Sequence, residues 1–135
     1  MYLRSNINTQ IYGSTECEIE HETATISLTI SEKYFHALGA IHGSVYFKLL
    51  DDAAYFAVNS IVEDWFVLTT SFNIHFLRPI SSGKITAIGK VTSKTEKGFV
   101  AESTLYNDAG KKVAFGAGHF VKSKSRLTKE IGYNL

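Results

Sequence analysis

Hydrophobic and polar positions alternate along much of this chain, and that period of two indicates β-strands. The stretch STECEIEHETATISLTI alternates on both sides of a turn near Glu22, which predicts a hairpin. The stretch DWFVLTTSFNIHFLRP alternates again and ends at Pro79, and one face would carry five residues (Leu68, Thr70, Phe72, Ile74, Phe76). Two further hairpins follow, with turns at residues 96–98 and 107–110 that contain glycine or asparagine.

One segment breaks this alternation and predicts a long helix. The stretch GSVYFKLLDDAAYFAVNS, residues 43–60, contains no proline and no glycine after Gly43. Apolar residues cover nearly its whole circumference, and the remaining polar line has spacings that place its members on one side (Lys48, Asp51, Asp52, Tyr55, Asn59). A helix of this kind has to be surrounded by the rest of the fold.

The order of elements is therefore two strands, one long helix and four strands. This order predicts an α+β fold in which an antiparallel sheet curls around the helix. At 135 residues, with no visible linker or repeat, the chain is expected to form one domain. The first dozen residues show no clear period, so a short helix and an irregular lead-in both remain open. Residues 123–135 form a polar, basic tail that we expect to be partly disordered.

Composition and charge exclude several functions. A net charge of +1 gives no reason to expect nucleic acid or a membrane surface as a partner. Neither a signal peptide nor a membrane span is visible, and the single cysteine, Cys17, allows no intrachain disulfide, so we expect a cytoplasmic protein. One Trp, seven Tyr and nine Phe have to pack in a core, a pocket or an interface.

The two acids in the helix allow two interpretations. In the first, they belong to a solvated stripe in which Lys48 pairs with Asp51 or Asp52, and spacing alone favours this interpretation. In the second, they take part in a reaction, because burying a carboxylate in an apolar helix costs free energy unless the group is paired or has a function. The helix start supports the second interpretation, since the N–H of Gly43 lies where backbone donors have no intrahelical partner and could stabilise an oxyanion. The residues His42, Gly43 and Ser44 could equally serve only as a cap.

Geometry limits how these groups could cooperate. His42 and Asp51 are nine residues apart, which places them on opposite sides of the helix and roughly 13 Å apart along its axis. Gly43 and Asp51 of one chain therefore cannot hold the same small reacting centre. A catalytic role predicts a two-fold dimer in which the acid comes from the facing subunit.

The stretch GAIHGSVYFKLLDDAAYFAVNS resembles the motif of hotdog-fold acyl-CoA thioesterases of the phenylacetate-pathway (PaaI-like) type: His-Gly-Gly, six residues, Asp. The stretch TTSFNIHFLRPI resembles the strand that follows in those enzymes, and the similarity covers about residues 13–122. The resemblance implies a hotdog fold with about five or six strands around the central helix. It also implies hydrolysis of an acyl-CoA thioester, with a homodimer as the minimal active unit and a homotetramer as the usual assembly.

The resemblance also implies roles for individual residues. His42 and Gly43 would lie at the helix start, with the Gly43 N–H polarising the thioester carbonyl. Asp51 would be the nucleophile or the general base. Thr69 would help to place the water or the carboxylate. Asp52 does not match the catalytic position and is expected to be a helper or a surface acid.

Two positions depart from the family pattern. The second glycine of the motif is Ser44, which could crowd the acyl chain or add a hydroxyl donor. The position six before the motif histidine is His36 where an asparagine is often found, and protonation would make its contact pH-dependent. Tyr55 could line the acyl pocket, and Arg78, among other basic residues, could contact the coenzyme A phosphates.

The chemistry requires no metal and no redox cofactor, and the histidines show no zinc-binding spacing. Two alternatives stay open. A hotdog hydratase or dehydratase would place a histidine and an acid at a different spacing. A non-catalytic acyl-CoA-binding module would normally accompany a DNA-binding segment, and no helix-turn-helix fits in the first dozen residues.

Overall fold

The computed structural model describes residues 2–62 and 65–126. Two short helical turns lie at Tyr2–Arg4 and Glu32–Tyr34, and the short helix α1 spans Asn6–Gln10. The long helix α2 spans Gly43–Asn59, which agrees with the predicted helix to within one residue. Within these described residues six strands complete the fold: β1 (Glu16–Glu20), β2 (Thr23–Thr29), β3 (Trp65–Phe76), β4 (Lys84–Thr95), β5 (Gly98–Tyr106) and β6 (Lys112–Arg126).

The six strands form one antiparallel sheet in the order β1-β2-β4-β5-β6-β3. The predicted hairpin turns are present, and each contains a residue with a positive φ angle: Glu22 (64°), Gly98 (151°) and Gly110 (78°). Within the described residues β3 pairs only with β6, so this twelve-residue strand forms one edge of the sheet. A long strand with a free edge is available for pairing with another chain.

Helix α2 lies against the inner face of the sheet and supplies a large part of the core. Leu50, Ala53, Ala54, Ala57 and Val58 are completely buried. Contact with β4 is especially close at Gly89, where an added Cβ would lie 2.2 Å from the backbone oxygen of Ala53. A glycine is required there because any side chain would displace the helix from the sheet.

Strand β3 differs from its predicted alternation. Thr69 pairs with Phe120 and Ser71 with His119, so Thr70 is an extra residue that forms a β-bulge. Five residues of β3 were predicted to share one face. The bulge reverses which face the side chains take on its two sides, so Leu68 and Thr70 lie exposed on the outer side of the sheet. Before the bulge, Val67 and Thr69 point inward instead; after it, Phe72 and Ile74 pack on the core as predicted.

The C-terminal end also differs from expectation. Residues 123–126, predicted as the start of the tail, continue strand β6. The rest of the predicted tail lies outside the described residues. Gly116 and Gly118, on the same strand, accommodate the ring of Phe72 and the backbone of Asn73 on the neighbouring β3. These two glycines allow β6 and β3 to pack closely, whereas Gly89 is the glycine that lets α2 approach the sheet.

Candidate active site

Asp51 lies in the middle of α2, where its carboxylate faces the inward half of β3. The Thr69 hydroxyl donates a hydrogen bond to Asp51 Oδ1 at 2.9 Å. This contact depends on the bulge, because strict alternation through β3 would turn Thr69 away. Burial raises the pKa of Asp51 to about 6, although the hydrogen bond from Thr69 acts in the opposite direction. The group is therefore mostly ionised at neutral pH and more basic than an ordinary carboxylate.

A largely apolar cavity of about 520 Å³ lies beside Asp51. This volume is in the usual range for small-molecule sites. Tyr55 lines the cavity, and burial raises the pKa of its phenol to about 12. The lining residues come from α2, from β3 and from the N-terminal segment (Tyr2, Ser5, Ile7, Asn8, Lys48, Asp51, Asp52, Tyr55, Phe56, Phe66, Val67, Leu68, Thr69).

The neighbouring acid, Asp52, has different surroundings. It forms an ion pair with Lys48 one helical turn earlier, and the hydroxyl of Tyr2 donates to its Oδ2 at 2.6 Å. Burial and the Asp52 carboxylate raise the pKa of Tyr2, so Tyr2 stays a donor. The predicted pairing with Lys48 is confirmed for Asp52, whereas Asp51 is held by Thr69. Both adjacent carboxylates line the cavity, but Asp52 is held in an ion pair with Lys48, whereas Asp51 accepts a hydrogen bond from Thr69.

The start of α2 is capped by His42. Its Nδ1 accepts a hydrogen bond from the Ser44 backbone N–H at 3.1 Å and lies 2.8 Å from the Ser44 hydroxyl. The cap interpretation is therefore confirmed for His42 and Ser44. It leaves the N–H of Gly43 without an acceptor among the described residues, because the cap engages the next N–H along the chain. This donor remains available to an external group.

A second groove, of about 420 Å³, surrounds Gly43. The ring of Phe76 lies directly over Gly43, 3.4 Å from the position of an added Cβ. The Tyr46 hydroxyl donates to the backbone oxygen of Arg78 at 2.7 Å, and the Arg78 side chain is exposed at this groove. His36 also lines the groove, with its Nδ1 accepting from the Leu38 N–H.

Within one chain the predicted site residues form two separate groups. Asp51, Asp52, Tyr55 and Thr69 line the cavity, whereas the other five residues lie at or beside the helix start (His36, His42, Gly43, Ser44, Arg78). The two lining sets share no residue. The eight residue steps along the helix from Gly43 to Asp51 correspond to about 12 Å along the axis.

Sequence reasoning missed the contribution of the N-terminal segment. Tyr2 binds Asp52 across a separation of 50 residues, and Asn8 is almost fully buried beside the cavity. These contacts leave no periodic pattern in the sequence, because a helix as short as α1 contains too few positions. Leu3, Ile7 and Ile11 recur at helical spacing, but their side chains are nearly half exposed and do not mark a core-facing stripe.

The described residues include no group of three or more His, Cys, Asp or Glu side chains placed to hold a metal ion. Burial raises the pKa of the Cys17 thiol to about 11, which disfavours the thiolate that a nucleophile needs. No helix in the described part of the chain has both the length and the apolar character to cross a bilayer.

Comparisons with known proteins agree with this architecture. The PaaI protein from the phenylacetic acid degradation operon of E. coli superposes with a TM-score of 0.84 at 22% identity, over 95% of this chain and 91% of that one. A thioesterase variant from Pseudomonas aeruginosa gives a TM-score of 0.81 at 19% identity, over 93% and 90% of the two chains. A Saccharolobus solfataricus protein named as a putative esterase is 25% identical over 104 residues, which are 77% of this chain and 69% of that protein.

The predicted hotdog fold is confirmed by these superpositions, as an antiparallel six-stranded sheet packed on one long helix. The family model of the thioesterase superfamily matches residues 38–114, which include α2, β3, β4 and β5. This match covers more than half of the sequence. The chain therefore belongs to the thioesterase superfamily.

Proposed function

We propose that this protein hydrolyses an acyl-CoA thioester to the free acid and coenzyme A. The observation that carries the proposal is Asp51, a partly buried carboxylate anchored by Thr69 at the wall of an apolar cavity. Its pKa of about 6 suits a group that must be ionised at neutral pH yet remain an effective base or nucleophile. Membership of the thioesterase superfamily supports the same reaction class.

The reaction begins when the Gly43 N–H donates to the thioester carbonyl oxygen at the start of α2. Negative charge develops on that oxygen in the transition state, and one such donor is typically worth about 3 kcal/mol of barrier. Asp51 either attacks the carbonyl carbon, forming an acyl anhydride that water then hydrolyses to the free acid, or removes a proton from the water that attacks the carbonyl carbon. The C–S bond then breaks, and the coenzyme A thiolate leaves and is protonated. The exposed Arg78, beside the Gly43 groove, would contact the coenzyme A phosphates.

The site is completed by a second copy of the chain. Strand β3 contacts both groups of site residues, because Thr69 binds Asp51 and the ring of Phe76 covers Gly43. If two β3 edges pair antiparallel about a two-fold axis near Phe72, the Thr69 region of one strand meets the Phe76 end of the other. Asp51 would then face the partner's helix start. This dimer also covers a free sheet edge, and the predicted homotetramer and cytoplasmic location belong to the same proposal.

The first test is thiol release from a panel of aromatic and aliphatic acyl-CoAs. Asp51→Asn should lose orders of magnitude in kcat. Gly43→Pro should lose roughly 10²–10³-fold, because it removes the N–H at a helix position that accepts proline. Gly43→Ala is the matched control, since it adds a side chain near Phe76 but keeps the donor. Equal activity of the proline and alanine variants would contradict the role of this N–H.

The second test addresses the shared site. Asp51→Asn and Gly43→Pro chains, unfolded together in equal amounts and refolded, should form mixed dimers with one intact site each. Random pairing then restores about a quarter of the wild-type activity, although each variant alone is inactive. No recovery in dimeric mixtures would contradict a site built from two chains. Binding of acyl-CoA without thiol release by the wild type would identify a binding module instead.

A further inference from the structure

The N-terminal segment, residues 2–12, is fixed to helix α2 through Tyr2. The Tyr2 hydroxyl donates to Asp52 at 2.6 Å and accepts from Lys48 Nζ at 3.2 Å. Its ring meets Phe56 edge-on with centroids 4.7 Å apart, and Lys48 Nζ lies 4.7 Å from the ring centroid. These contacts combine a charge-assisted hydrogen bond, an ion pair and a cation–π interaction at one point.

The other end of the segment is fixed to the turn before α2. The Tyr34 hydroxyl donates to the backbone oxygen of Ile11 at 2.8 Å, and the rings of Tyr12 and Tyr34 stack at 5.3 Å. Between the two ends, the buried Asn8 donates to the Tyr2 backbone oxygen at 2.7 Å. The segment is therefore held at both ends and internally, which makes it a fixed wall.

This wall closes one side of the cavity that contains Asp51. Ser5, Ile7 and Asn8 line the cavity from the N-terminal segment, and Phe66 and Leu68 line it from β3. Ile7 is 47% exposed, so its apolar side chain retains surface that an apolar group could cover.

We propose that residues 2–12 form the wall of the acyl pocket and that Ile7 determines the acyl length the enzyme prefers. The inference rests on the proposed thioesterase function. With its carbonyl at Asp51, the acyl group extends along the cavity towards Ile7. The preferred substrates carry an uncharged, apolar acyl group longer than acetyl. A carboxylated acyl group is disfavoured, because Lys48, the cation in the lining, is already paired with Asp52.

The test compares Ile7→Trp and Ile7→Ala with the wild type on acetyl-CoA, hexanoyl-CoA and succinyl-CoA. Each methylene group that contacts the wall should raise kcat/KM about fourfold. Ile7→Trp fills the cavity and should lower kcat/KM for hexanoyl-CoA at least about tenfold, with less than about a twofold change for acetyl-CoA. Ile7→Ala should reduce the preference for hexanoyl-CoA over acetyl-CoA. Ile11→Ala is the matched control, because Ile11 is 48% exposed on the same segment but does not line the cavity.

The inference is overturned if the Ile7 variants change acetyl-CoA and hexanoyl-CoA by the same factor, if Ile11→Ala alters the profile equally, or if succinyl-CoA is the best substrate. Binding of non-hydrolysable ethyl and hexyl thioethers of coenzyme A separates this inference from the proposed function. Weaker hexyl binding by Ile7→Trp, without thiol release by the wild type, would support the pocket wall and reject the hydrolase. Thiol release by the wild type, with a chain-length profile that the Ile7 variants leave unchanged, would support the hydrolase and reject the pocket wall.

Discussion

Replacing Asp51 by asparagine removes the ionisable group but keeps the shape of the side chain and an oxygen that can accept the Thr69 hydrogen bond. The carboxyl group is disfavoured as an anion in the folded protein, because burial raises its pKa to about 6 from the ordinary value of 3.8. The unfolded chain therefore loses this proton at a lower pH than the folded chain. The contribution of Asp51 to the free energy of unfolding therefore falls as the pH rises from about 4 to about 6 and stays lowered above that range.

The size of the effect follows from the pKa difference. At about 1.4 kcal/mol for each pH unit, the ionised Asp51 costs on the order of 3 kcal/mol at pH 8. Asp51→Asn should recover much of this cost, so the variant should be more stable than the wild type at pH 8 and nearly equal to it at pH 4. The variant should also be inactive, so a gain in stability would accompany a loss of function.

Urea denaturation at both pH values, at one fixed protein concentration, measures the difference. Asp52→Asn is the matched control on the adjacent residue. Its side chain is 16% exposed and paired with Lys48, so its removal should destabilise the protein by about 1–3 kcal/mol at pH 8. A stability difference between Asp51→Asn and the wild type that is the same at pH 4 and pH 8 would refute the reasoning.

Three further substitutions test other contacts. Thr69→Val removes the hydrogen bond to Asp51 and should shift the acid limb of the kcat/KM profile upward by about one pH unit; an unchanged limb would contradict a positioning role. Gly89→Ala places a Cβ against the Ala53 backbone and should cost about 3 kcal/mol in urea denaturation, whereas a cost below about 1 kcal/mol would mean that α2 can shift. Ser103→Ala removes a buried 2.7 Å hydrogen bond to the α2 backbone and should lower the melting temperature, at a cost of about 1 kcal/mol; an unchanged melting temperature would mean that the bond contributes nothing.

The helix and the succession of strands along the chain could be predicted because each element depends on a local repeat. Residues 43–60 are apolar almost all round, and α2 ends within one residue of that stretch. The strands carry the alternation expected of a sheet with one buried face. The bulge at Thr70 was missed because an extra residue changes the register without changing the composition. Gly89 was missed for a related reason, since its role depends on contact with a distant helix.

The candidate site was predictable only in part. The motif predicted Asp51 and the helix start as site residues, and helix geometry predicted that a shared role would need two chains. What distinguishes Asp51 from Asp52 is their tertiary partners, Thr69 for the first and Lys48 with Tyr2 for the second. The spacing of residues along α2 does not distinguish the two acids, because both belong to the same polar line. The position of the N-terminal segment depends on similar long-range contacts.

The extra residue in β3 also determines which changes in length the strand can accept. Deleting Thr70 would restore strict alternation and exchange the faces of one half of the strand relative to the other. If the half after the deletion kept its place on the core, Thr69 would turn away from Asp51, and Leu68 would point inward. The side chain of Thr70 is exposed, so many residue types could occupy this position. Thr70 contributes to the site by adding one residue to β3, not through its side chain. Deleting this residue would therefore disrupt the site more than most substitutions of it.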